Sequence, residues 1–348
     1  MKELLGICLI MVMAIACKKI DRIAPEPGII DGETFNSTVL IDGHAYDGTV
    51  FRNCIFEDIT GDGLQIRDVD SLCIENCIFR NISGDGIRFR NTGSSNNVKI
   101  LTNEFYSIEE NAILAPEDHL YTLIKGNTIH DVATNNASSQ VGAPHHGIYF
   151  QGNHVVITEN KIYNVSNDQG NGISIRTNGT ITKNVIYNTT DHGISYFSDH
   201  PGNGDTLLIQ NNIIYDNGKR AVNLASNGNT SNHVGTVVVR FNTLLSNTSS
   251  VIGINDRLTG VTIDLMANIA VRTDGGSTYV FSTLPYNQSK NLTASGDIGF
   301  VDFTNRDLHL GASSTAENFA TGIANFPVWD IDFDRRAATN LDAGADER

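Results

Sequence analysis

Apolar and polar residues alternate through most of this chain, in short packets. Ile124-Lys-Gly-Asn127-Thr-Ile129 and Ile157-Thr-Glu-Asn160-Lys-Ile162 show the pattern. Ile181 and Ile186 flank Asn184 in the same way, and Val239 and Leu244 flank Asn242. A period of two predicts strands, because successive side chains leave a strand on opposite faces; helical i, i+3, i+4 spacing is missing. Ile and Val dominate the positions predicted to point inward, as strands prefer. Gly and Asn gather between packets, where the backbone needs turn or left-handed geometry.

The packets repeat. The phrase apolar-x-x-Asn-x-apolar recurs at Asn53, Asn76, Asn103, Asn127, Asn160, Asn184, Asn212, Asn242 and Asn268, with gaps of 23 to 33 residues. Self-similarity at this period marks a solenoid, in which equivalent positions stack. A coil of roughly 24 residues holding several short strands predicts a parallel β-helix. Leucine-rich repeats would need a Leu-rich phrase. Each Asn should bond the Asn above and below it in a buried ladder. Phe56, Phe79, Tyr106, His130, Tyr163, Tyr187 and Tyr215 follow the asparagines at three residues and predict a column of stacked rings with a structural role.

With these phrases in place, the chain resembles the right-handed parallel β-helix superfamily, the pectate-lyase-like and related secreted bacterial repeat proteins. The matching phrases span about residues 39–270. The resemblance implies an all-β fold, a single right-handed parallel β-helix (solenoid) of about 9–11 coils with an irregular C-terminal cap. It implies a carbohydrate-active protein, while one fold hosts many reactions. The expected domains are a signal peptide over 1–17, a polar tether over 18–38, the β-helix over 39–295 and the capping segment over 296–348. Trp329 and Phe333 are expected as apolar cover for the last coil.

Residues 1–17 form a short apolar run behind Lys2 that ends Ala14-Ile15-Ala16-Cys17. The run is too short to span a membrane comfortably and reads as an export signal of lipoprotein type, with Cys17 as the lipidation site. The protein is therefore expected in the cell envelope as a lipoprotein (outer membrane or surface), otherwise secreted or periplasmic. Membrane contact is expected only through that N-terminal lipid anchor, and the protein is expected to be a monomer. Cys54, Cys73 and Cys77 show no zinc spacing. Cys54 and Cys77 each follow a repeat asparagine and should sit on adjacent coils. The net charge of −15 argues against nucleic acid as a partner.

A second phrase opens one strand of each coil, as in Gly84-Asp-Gly-Ile-Arg-Phe-Arg90, His145-His-Gly-Ile-Tyr-Phe-Gln151 and Gly170-Asn-Gly-Ile-Ser-Ile-Arg176. Alternation sends Ile87, Ile148, Ile173, Phe89, Phe150 and Ile175 inward. Three outward columns remain. The first is Asp62, Asp85, Asn111, His146, Asn171, His192, Arg220. The second is Gln65, Arg88, Leu114, Tyr149, Ser174, Ser195, Asn223. The third is Arg67, Arg90, Pro116, Gln151, Arg176, Phe197, Ala225. Insertions at 133–145 and 198–205 should wall a groove beside the coils of His146, Asn171 and His192.

Breaking a uronate polymer by β-elimination needs a neutralised carboxylate, a base for the C5 proton and an acid for the leaving oxygen. Arg supplies the first by a charged planar fork, and His or Tyr can supply the others near neutral pH. His146 or His192 is the expected base and Tyr149 the acid. Arg176 and Arg220 are the expected carboxylate binders. Asn171, Arg88, Arg90 and Gln151 are further substrate-binding candidates on the same columns. The substrate is then an anionic polysaccharide or oligosaccharide. Against this, Gly-Asp-Gly is also ordinary turn chemistry.

A glycoside hydrolase is the first alternative, through carboxylates such as Asp62, Asp85, Asp191 and Asp199, although the columns predict no compact cluster of three. A non-catalytic cell-surface glycan-binding protein is the second. The resemblance also admits a Ca2+ ion. The run Asp330-Ile-Asp332-Phe-Asp334 is not an EF-hand loop, since Arg335 and Leu341 stand where that loop needs Gly and Glu. No metal ligand set is assigned.

Overall fold

The computed structural model describes residues 22–135, 144–201, 204–248 and 250–348. The expected signal peptide with Cys17, and residues 136–143 of the first insertion, lie outside the described residues. Three parallel sheets of 11 strands each wind into a three-sided solenoid, as expected. Each coil gives one strand to sheet A, one to sheet B and one to sheet C. The segment expected as a tether already supplies strands: Ile29–Asp31 pairs with Val50–Arg52, and Thr34–Phe35 with Ile55–Ile59. The first coil therefore starts earlier than the packets suggested.

Sheet A carries the second phrase, in strands such as Ile87–Phe89, Ile113–Ala115, Ile148–Phe150, Ile173–Ile175 and Ile194–Ser198. The register is the predicted one: Tyr149 sits between Leu114 and Ser174, and Ser195 between Ser174 and Asn223. Ile148, Phe150, Ile173 and Ile175 are fully buried in the core. Each such side chain stabilises the fold by roughly 1.5–3 kcal/mol.

The corner from sheet B to sheet C holds the asparagine ladder. From Asn103 through Asn127, Asn160, Asn184, Asn212, Asn242 and Asn268, each Nδ2 donates to Oδ1 of the next rung at 2.9–3.0 Å, and the backbone N–H donates to the same oxygen. Asn291 is an eighth rung that the repeat had not revealed. Asn53 and Asn76 are corrections. They occupy the left-handed residue just before the ladder, both at φ 53°, and Cys54 and Cys77 take the ladder position as buried free thiols. Later coils put Thr102, Gly126, Glu159 or Lys183 in that left-handed place. Asn suits either position, because its short amide tolerates left-handed backbone.

The same one-residue slip divides the aromatic column. Phe56, Phe79 and Phe105 stack inside the core at 4.4 and 4.7 Å. Tyr106, His130, Tyr163, Tyr187 and Tyr215 stack on the outer face of sheet C, 4.9–5.3 Å apart and within 7° of parallel.

The C-terminal segment does not sit over the last coil. It runs back along the flank. In the later coils sheet C loses its alternation: Ile269-Ala270-Val271 is apolar on both faces. Its outer residues Ile213, Leu245, Ile269 and Val271 form a second core with Phe300, Leu308, Leu310, Leu341 and Ala343. Arg306 pairs with Asp216 at 2.8 Å, and Arg336 reaches Asn211 at 3.1 Å, both fastening the segment to earlier coils. Trp329 and Phe333 are half exposed rather than covering the end.

Candidate active site

The corner from sheet C to sheet A is built by the Gly-x-Gly phrase. A Cβ on Gly147 would lie 2.6 Å from the Gly172 carbonyl oxygen, so only glycine lets adjacent rungs approach this closely. The residue before that glycine belongs to the first column. Its side chain does not stand outward as expected; it folds against the next rung and accepts that rung's backbone N–H. Asp62 accepts from Asp85, Asp85 from Asn111, Asn111 from His146, His146 Nδ1 from Asn171, Asn171 from His192, and His192 Nδ1 from Arg220, at 2.7–3.1 Å. All six acceptor side chains are at most 9% exposed.

This column fixes the state of both histidines. A backbone N–H can only donate, so Nδ1 of His146 and of His192 must carry the lone pair and Nε2 the proton. Burial pushes His146 well below the usual histidine range, assisted by nearby Arg176, and pushes His192 down to about 4. Both rings are therefore neutral near pH 7. His192 Nε2 lies 3.3 Å and Lys219 Nζ 2.9 Å from Asp191 Oδ1, contacts without hydrogen-bond geometry. His146 Nε2–H is buried with no partner among the described residues.

Tyr149 lies over His146 edge-to-face, with ring centroids 5.2 Å apart. Its hydroxyl oxygen accepts from Gln151 Nε2 at 2.6 Å. The Arg176 guanidinium is held between the Tyr149 ring at 4.8 Å and the Phe197 ring at 5.0 Å, and its Nη1 meets Asp199 Oδ2 at 3.2 Å. Arg176 Nε–H is a second buried donor without a partner among the described residues.

These groups line a groove of about 1030 Å³ on the outer face of sheet A. It brings together His146, His192, Tyr149, Arg176, Asn171 and Arg88 from the expected set. Asn171 is committed to the column, donating from Nδ2 to His146 Nδ1 at 3.2 Å and accepting from His192. Arg88 is paired with Asp85 at 3.0 Å. Gln151 acts through Tyr149 and opens onto a smaller neighbouring cavity. Arg90 lies outside the groove lining, where Nη1 approaches Gln65 at 3.4 Å. Arg220 is also outside it. Gly253 on the next rung leaves room for its guanidinium, which bonds Ser250 at 2.8 Å and stacks on Phe281.

Sequence reasoning assigned nothing to Glu110, His145 and Gln169, which also line the groove, and weighed Asp191 and Asp199 only for hydrolysis. Asp191 could have been found as the residue before His192 in the Gly-x-Gly phrase, and Asp199 as part of the second insertion.

Compact carboxylate clusters do occur, contrary to expectation. Asp62, Asp85 and Glu110 bring oxygens within 4.8 Å of one another, as do Asp330, Asp332 and Asp346. Burial and the Asp62 charge push Asp85 up to about 7. In both clusters several oxygens already accept hydrogen bonds within the protein. Asp62 serves Gln65 and the Asp85 N–H; Asp85 serves Asn111 and Arg88. Asp330 accepts from the N–H groups of Asp332, Asp334 and Glu347.

A three-sided parallel solenoid with a polar groove on one sheet defines the class of this protein. The chain belongs to the right handed beta helix region family, whose model matches residues 37–200 and again 91–268. Similar solved structures include pectate lyase Pel9A, at TM-score 0.48 and 12% identity over 94% of this chain and 88% of that one. A periplasmic alginate epimerase aligns at TM-score 0.44 and 12% identity, over 78% and 85%. An alginate lyase from Paenibacillus sp. str. FPU-7 aligns at TM-score 0.42 and 15% identity, over 76% and 93%. No curated protein matches the chain. These are likenesses of architecture.

Proposed function

We propose that the groove binds a uronate-containing polysaccharide and cleaves it by β-elimination. One observation carries this reading: His146 Nε2–H and Arg176 Nε–H are buried, have no partner among the described residues and both pack on Tyr149. Two such donors suit one carboxylate, and hydrogen bonding to a carboxylate is what makes the adjacent C5–H acidic. Preorganised donors of this kind are the largest catalytic contribution in many enzymes. The Tyr149 hydroxyl oxygen accepts from Gln151, so its own proton is free for the leaving O4. The base role expected of His146 or His192 passes to a carboxylate, since Nδ1 of both rings is engaged. Asp191 is the candidate: it lines the groove, with Lys219 and His192 against its Oδ1. The base takes the C5 proton, the C4=C5 bond forms, the C4–O4 bond breaks and O4 receives the Tyr149 proton. New near-ultraviolet absorbance from a uronate polymer, lost in His146→Asn and Arg176→Gln, is the expected result. A full panel of such polymers left intact would sink the proposal.

Glycoside hydrolysis is the second reading, favoured by Glu110, Asp191 and Asp199 lining one groove. New reducing ends without near-ultraviolet absorbance would select it. Glycan affinity with no turnover would select a binding protein. The same proposal places the protein outside the cytoplasm, as a monomer tethered through Cys17. Failure of a lipid analogue to label the chain at Cys17 would remove the anchor.

A further inference from the structure

The donor pair accounts for one carboxylate. The remaining groove charges bear on the sugars to either side. The lining runs from Arg88 to Asn223 across six rungs of sheet A, about 24 Å at strand spacing. Its described cations are Arg88 and Arg176, and each already has a carboxylate, Asp85 at 3.0 Å and Asp199 at 3.2 Å. Lys219, at the groove edge, has Asp191 at 2.9 Å. The Arg220 guanidinium is outside the lining, bonded to Ser250 and to Asn223 at the end of the groove and stacked on Phe281. Burial holds His145, His146 and His192 below the usual histidine range, so they add no positive charge near pH 7. Residues 136–143 and 202–203 contain no ionisable side chain.

A homopolyuronate brings a carboxylate on every sugar, hence several along this length. The one donor pair can meet one of them. The rest would find no cation in the lining without a carboxylate of its own; Asp191 and Asp199 are matched by Lys219 and Arg176, while Glu110 has no ion pair among the described residues and would repel them in a cleft where like charges are poorly screened. Between those acids the floor is neutral, with Leu114, Ser174, Ser195 and Asn223, a surface for sugar hydroxyls and ring faces.

We infer that the site takes a heteropolysaccharide in which single uronates are separated by neutral sugars, and rejects homopolyuronates. The inference rests on the proposed elimination. It is tested by comparing kcat/KM on polygalacturonate and alginate with that on deacylated gellan and on an alternating galacturonate–rhamnose backbone. Mixed polymers should be preferred by at least about tenfold at low salt, with the gap narrowing as salt is added. Glu110→Gln should narrow the gap at low salt by raising the homopolymer rate, a gain that a damaged fold could not produce. Homopolyuronates cleaved as fast as mixed polymers at low salt would overturn the inference and leave the elimination standing. No unsaturated product from any polymer would overturn the elimination itself.

Discussion

Two side-chain ladders climb this solenoid at adjacent corners, and they differ in composition and direction. At the B–C corner, asparagines repeat, each rung donates to the one after it, and every ladder amide is satisfied. At the C–A corner the rungs vary among Asp, Asn and His, and each rung's side chain accepts from the one after it. There one ring is left with a buried proton and no acceptor among the described residues. Both ladders hold coils in register. Uniformity yields a fully satisfied scaffold. Variety at the second corner leaves donors for a ligand.

The comparison breaks first at Asn184→Ala. That change strips partners from the Ile157 and Thr182 carbonyls and from both Asn160 and Asn212, and should cost about 4 kcal/mol in urea unfolding. Activity per folded molecule should be unchanged.

Next is His146→Asn. Asn already serves this column at Asn111 and Asn171, so the acceptor survives while Nε2–H disappears. Turnover should fall on the order of 10²-fold, with stability within about 1 kcal/mol of the parent. Equal loss of stability and turnover would make His146 merely structural.

His192→Asn tests charge. The folded pKa is pushed down to about 4, below the unfolded value of about 6.5. Protonation therefore favours the unfolded chain, so stability is intact above about pH 6.5 and is lost as pH falls toward 4. Relative to His192→Asn, the parent should lose roughly 2 kcal/mol between about pH 6.5 and 5 in urea unfolding. A pH-independent difference would contradict the buried neutral ring.

The smallest effect is expected from Cys77→Asn, which extends the amide ladder by one rung. Cys77 already donates its N–H to Asn103 Oδ1 at 2.8 Å. A gain of up to about 1 kcal/mol in thermal unfolding is expected. A loss would show that the ladder's first rungs are packed for sulfur.

The sheet A register was legible because Gly-x-Gly-Ile admits one alignment. The first two ladder rungs were not, because Asn suits both the left-handed residue and the ladder, and Asn53 and Asn76 took the former. Alternation assigned the first column to the outer face but could not show its side chains folding against the next rung. Arg220 was misplaced for a related reason: Gly253, a rung away, gives its guanidinium another place to lie. The tail's route along the flank was readable in Ile269-Ala270-Val271, a strand with no polar face to leave in water.

The outer ring stack has an optical consequence. Tyr163, Tyr187 and Tyr215 lie parallel at 4.9 and 5.0 Å, close enough for their electronic transitions to couple. Such coupling gives near-ultraviolet circular dichroism that depends on neighbouring coils holding their spacing. The protein thus carries a built-in gauge of its own winding, readable without any label.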